Sequence, residues 1–138
     1  MDVERACRTG LLAVLKSDGA LLALLPQASM FDHVPDRAVP PYLALADQST
    51  VRQLDCEGLA FRLDIALEIW TDGHSRKPLW TIGQAVHQLI ENAALNPGPD
   101  FKALSAYPQG LRTDRIRNLD LLRARFDLQF LAEAKPLA

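Results

Sequence analysis

Between Phe61 and Thr71 the chain alternates without interruption. Phe61, Leu63, Ile65, Leu67 and Ile69 share one parity, and Arg62, Asp64, Ala66, Glu68 and Trp70 share the other. Successive side chains of a strand point to opposite faces, so this run reads as a strand with one packed face and one wet face. Such a strand belongs to an antiparallel sheet, since parallel strands are covered on both sides and carry continuous apolar runs. The apolar face then needs a cover, and the next segment supplies one. Leu79, Ile82, Gly83, Val86, Leu89, Ile90 and Ala93 recur at three- and four-residue spacing, the stripe of an amphipathic helix. Ser75 is expected to cap it, Pro78 is tolerated in its first turn, and Asn96-Pro97-Gly98-Pro99 ends it.

The flanks extend the pattern. Asp2 is placed to cap an opening helix in which Val3, Cys7, Gly10, Leu11 and Val14 recur at helical spacing, and Asp18 to cap a shorter one through Ala20–Leu25, stopped by Pro26. Met30–Val34 reads as a brief strand, Tyr42–Ala46 as a buried one, and Asp47–Thr50 as a turn, after which Val51–Leu54 continues the strand or opens a loop. Phe101–Ala106 and Leu111–Arg117 read as two further strands. Leu121–Leu131 is the last, with Leu122, Ala124, Phe126, Leu128 and Phe130 alternating against Arg123, Arg125, Asp127 and Gln129. Asn118-Leu119-Asp120 suits the reversal before it. The expected fold class is therefore α+β: one domain over residues 1–138, an antiparallel sheet packed by one long helix and an N-terminal helix.

With 138 residues, 49% of them hydrophobic and 23% charged, the chain can build one core without staples. Its net charge of −2 excludes a globally basic protein that coats nucleic acid. Two cysteines, Cys7 and Cys56, argue against a disulfide scaffold, and the opening residues lack the basic start and apolar stretch of a signal peptide. No apolar run approaches the roughly 20 residues that span a bilayer. These features point to a protein made in the cytoplasm, with no membrane partner.

Chemistry-bearing patterns are absent. His33, His74 and His87 have no companion ligand at zinc-site spacing, and no nucleophile elbow, P-loop or dinucleotide fingerprint occurs. Asp64 and Glu68 share a strand face but stand about 13 Å apart along it, beyond the separation of paired glycosidase carboxylates. We expect no catalytic residue, metal or cofactor. Two groups of residues remain as candidate contact surfaces. Trp70 interrupts the polar face of its strand and Trp80 leaves the apolar stripe of its helix. With Asp72, His74, Arg76 and Lys77 between them, they mark either a subunit interface or ordinary packing. Arg112, Arg115, Arg117, Arg123 and Arg125 stand against Asp114, Asp120 and Asp127, a local excess of two positive charges in a chain that is negative as a whole. On paired strands these arginines would form a stripe facing an acidic partner or a passing nucleic acid backbone, or simply a mixed-charge wet face.

Four segments in this order resemble the small tail terminator, or tail completion, proteins of long-tailed bacteriophages and gene transfer agents. They are the opening helix VERACRTGLLAVLKSDGALLALL, the segment MFDHVPDRAVPPYLALA, the unit FRLDIALEIWTDGHSRKPLWTIGQAVHQLI, and the late pair RIRNLDLLRARFDLQF. Pro41-Tyr42 and Ile69-Trp70 are the landmarks. The resemblance implies an α+β subunit, without enzymatic activity or cofactor, that forms a ring, typically a hexamer, on the head-proximal end of a tail tube. Such a ring stops tube polymerisation and docks to the head connector or stopper protein. It also implies tube protein as a partner and possible non-specific contact with DNA in the channel. A small ligand-binding or regulatory α+β domain is the alternative, and an unrecognised enzyme a more distant one.

Overall fold

Capping decides where the first two helices begin. The computed structural model describes residues 2–73 and 75–136. In it the Asp2 carboxylate accepts from the Arg5 amide at 3.0 Å and starts α1, Val3–Ser17. Asp18 accepts from the Leu21 amide at 2.9 Å and starts α2, Gly19–Leu24. Both satisfy donors that a helix start leaves unpaired. Strands β1 (Met30–Phe31), β2 (Tyr42–Gln53) and β3 (Ala60–Asp72) follow, then α3 (Lys77–Asn92), β4 (Phe101–Ile116) and β5 (Leu121–Ala134).

The strands form one sheet in the order β1-β2-β3-β5-β4. All pairs are antiparallel except β1 with β2. The expected α+β class is observed, with a short parallel edge added. Alternation places Leu63, Ile65, Leu67 and Ile69 of β3 beside Leu122, Ala124, Phe126, Leu128 and Phe130 of β5. These join Cys7, Leu11 and Leu15 of α1 and Leu79, Ile82, Val86 and Ile90 of α3 in one buried cluster. The helices thus cover one face, and the opposite face of the sheet stays open. Gly10 lets α1 approach the loop before β4: a Cβ there would stand 3.0 Å from the Asn96 carbonyl oxygen. Burial pushes the Cys7 thiol up to about 12, with Glu4 adding to the effect, so it is an inert core group. No helix among the described residues is long and apolar enough to cross a membrane.

Four local expectations are corrected. Asp47–Thr50 is no turn: β2 runs through it, and a register shift between Leu45 and Ser49 absorbs the polar stretch as a bulge. Phe101–Ala106 and Leu111–Arg117 are one strand, β4, rather than two. Pro108 is tolerated because β4 is an edge, and the left-handed Gly110 (φ 49°) lies in its second register shift, between Gln109 and Arg112. The first strand stops at Phe31 instead of Val34, since residues beyond it have no partner strand. Ser75 lies one position too early to be the N-cap of α3. Arg76 occupies that place without a side-chain cap, while Ser75 Oγ accepts from the Lys77 amide at 3.2 Å.

Candidate interaction surface

Strand register assembles a row across the open face from residues far apart in sequence. Tyr42 of β2 lies opposite Trp70 of β3, Trp70 opposite Arg123 of β5, and Arg123 opposite Asp114 of β4. The Tyr42 and Trp70 rings stack with centroids 6.3 Å apart, and Phe31 of β1 tilts against Tyr42 at 5.9 Å. The Arg123 guanidinium sits 5.5 Å from the Trp70 ring centroid, a cation–π contact. Trp70 is therefore half-covered by its neighbours on the wet face, which explains how that face tolerates it.

Arg123 is also the centre of an ion-pair network. Its Nε and Nη2 donate to both oxygens of Asp114 at 3.2 and 2.8 Å, and its Nη1 donates to Glu68 at 3.2 Å. That bidentate bond holds the Asp114 carboxyl below the usual carboxylate range and raises Arg123 in turn. A carboxyl whose folded pKa is depressed stabilises the fold above its unfolded pKa and loses that contribution as pH falls through the folded value. Asp114→Asn is expected to cost about 0.5–1 kcal/mol at pH 7, because the pair is half-exposed. Parallel urea titrations should show the difference shrinking as pH falls below about 4, the ordinary carboxylate value, and closing once the native carboxyl is protonated too.

The next row pairs Glu68 with Arg125 and Arg125 with Arg112. Two like charges stand directly opposite there. Burial raises the Tyr42 hydroxyl above its ordinary value, with Glu68 adding to the shift.

The five arginines do not form a single stripe. Arg112, Arg123 and Arg125 point to the open face, but Arg115 pairs with buried Leu122 and so turns to the helix side. There its Nη1 donates to the Gly73 carbonyl at 3.0 Å and stands 3.6 Å from Asp120. Arg117 is exposed in the β4–β5 turn. The physical reason is the pleat: residues one or three apart on a strand face opposite ways. The tryptophans separate likewise. Trp70 is on the open face, whereas Trp80 is 40% exposed on α3 in the helix layer. Asp72, Arg76 and Lys77 are exposed along the β3–α3 connection, and His74 lies outside the described residues.

The order of residues alone does not mark Tyr42 as a member of the Trp70 row, Phe31 and Glu68 as neighbours in the adjacent row, or Arg8 as a buried tie. Tyr42 was legible only as a strand start, since nothing local says which strand it pairs. Arg8 of α1 is 6% exposed, and its guanidinium reaches Glu4, Asp32 and the carbonyl oxygens of Ala46 and Asp47.

Among the described residues no group of three or more histidine, cysteine or acidic side chains is arranged to hold a metal. His33 Nδ1 stands 3.2 Å from Asp47 and His87 Nδ1 3.2 Å from Glu91, each a solvent-side pair. A groove of about 490 Å³ runs between Asp2–Ala13 on α1 and Asn96–Phe101. Among the described residues its wall holds no histidine, no cysteine and no nucleophile–base pair.

A family model described as tail completion protein gp17 matches residues 9–133. The fold is similar to a chain in the solved structure "Virion of native gene transfer agent (GTA) particle", with a TM-score of 0.76 and 22% identity over 97% of this chain and 98% of that one. No curated protein matches the sequence.

Proposed function

The chain belongs to the tail completion protein gp17 family, structural components of phage-type tails, and from that membership we propose that it is the ring that closes the head-proximal end of a tail tube. In this role it stops tube polymerisation and presents the surface to which the head connector docks. The observation that carries the reading is the extent of the family match, which runs from the second turn of α1 into the last residues of β5. The similarity to a chain of a gene transfer agent virion supports the same fold. A subunit in a closed ring presents two different complementary patches. Exposed Trp80 with Asp72, Arg76 and Lys77 suits one contact surface, and the arginines of the open face suit another. The chemistry is recognition only: the reading assigns this subunit no catalytic step and no cofactor.

Electron microscopy of particles assembled with and without this protein tests the proposal. Without it, overlong or headless tails are expected. Particles of normal length with heads attached would refute it.

A further inference from the structure

The β4 side of the sheet leaves arginine charge without a full counter-charge, and the β1 side leaves carboxylate charge. At the β4 edge, Arg112 lies directly opposite Arg125, an arrangement that destabilises a sheet unless a counter-charge is near. Glu68 is the carboxylate closest to Arg125, at 3.9 Å, and it is already shared with Arg123. Both oxygens of Asp114 are taken by Arg123. Arg125 Nε is buried without a hydrogen-bond partner, and among the described residues Arg112 makes no ion pair. At the β1 edge the balance is reversed. Asp2, Glu4, Asp32 and Asp47 gather around Arg5, Arg8 and His33, joined by the Arg8 and His33 contacts and by a shared groove. Four carboxylates against two arginines leave an excess of two negative charges, and the Asp47 side chain is 85% exposed.

Asp47 lies on β2, two strand spacings from Arg125 on β5 and three from Arg112 on β4, about 10 and 14 Å across the sheet. Both exceed the screening length of about 8 Å at physiological salt, so these groups neutralise each other only weakly within one chain. Between chains they can meet. We propose that copies of this chain associate edge to edge, with the Arg112–Arg125 pair of one copy against the Asp47 side of the next. This rests on the ring reading and assigns its two unlike patches. Because the patches differ, the contact is heterologous, the kind that closes into a ring when each copy is rotated relative to the last. A second copy fits the open-face arginines better than a nucleic acid backbone does. Glu68, Asp114 and Asp127 share that face, which breaks any continuous run of cations for phosphates.

Charge exchange on the full chain tests this, with circular dichroism confirming the fold of each variant. Light scattering and sedimentation follow self-association, alone and with tail tube protein present. Arg112→Glu and Asp47→Arg are each expected to weaken self-association about tenfold or more, and the combined variant to regain most of the loss. Rising salt should weaken the native contact. Rings that form with unchanged affinity in both single variants would overturn the edge-to-edge contact while leaving the ring reading intact. So would intact rings combined with loss of salt-sensitive duplex DNA binding or of connector docking, which would assign the arginines to that partner. A chain that stays monomeric at every concentration, even on tube protein, would remove the ring reading and this contact together.

Discussion

Phe126→Ala is expected to destabilise the protein by about 3–5 kcal/mol, the range for deleting a buried aromatic from a core that collapses only in part. Phe126 is fully buried on β5, pairs with Leu67 of β3, and has the His87 ring of α3 edge-on at 5.7 Å. It stands where sheet and long helix meet, so its loss opens a void between two rigid layers. A domain of this size should show a fall in Tm of roughly 10–20 °C, read by calorimetry. Since total stabilities are commonly 5–15 kcal/mol, this change removes a large share of what holds the fold. A Tm within 3 °C or so of the native value would mean that the layers close over the site.

The second large effect is expected at Arg8. Its Nη1 donates to Asp32 at 2.7 Å, its Nε to Glu4 at 3.0 Å, and its Nη2 to the Ala46 carbonyl at 2.7 Å. One buried guanidinium thus ties α1 to the segment after β1 and to β2. Arg8→Ala leaves the Ala46 carbonyl and the half-buried Asp32 without this donor, and about 2–4 kcal/mol should be lost. Arg8→Lys should recover little, because an ammonium does not reproduce the planar fork that serves four acceptors at once. Amide hydrogen exchange supplies a local readout: protection at Met30–Phe31 and Leu43–Ala46 should fall before that of β3 and β5. The exposed neighbour Arg5 is the control, and Arg5→Ala should change stability by no more than about 0.5 kcal/mol.

Much of the architecture is written in local patterns. The Phe61–Thr71 alternation becomes β3, the Leu79–Ile90 stripe becomes the buried face of α3, and the aspartate caps fall on their helix starts. The expectations that failed share a cause. Asp47-Gln48-Ser49-Thr50 is composed like a turn, yet pairing with β3 holds it extended. Pro108 and Gly110 read as a break, yet an edge strand needs only one side of its backbone paired, so β4 continues through both. In each case a ladder hydrogen-bonded from a distant segment overrode a local preference.

The candidate surfaces divide in the same way. That Trp70 lies on a polar face and that arginines crowd the last two strands is visible in the order of residues alone. Which arginine meets that tryptophan is not, because Tyr42, Trp70, Arg123 and Asp114 come from four strands and are aligned only by register. Period and capping act over a few residues, so the three helices, strands β3 and β5, their buried faces and the two-layer class are legible in the order of residues. Strand order, the bulges, the burial of Arg8 and the setting of the Arg112–Arg125 pair depend on contacts between segments tens of residues apart, and those contacts exist only in the packed fold.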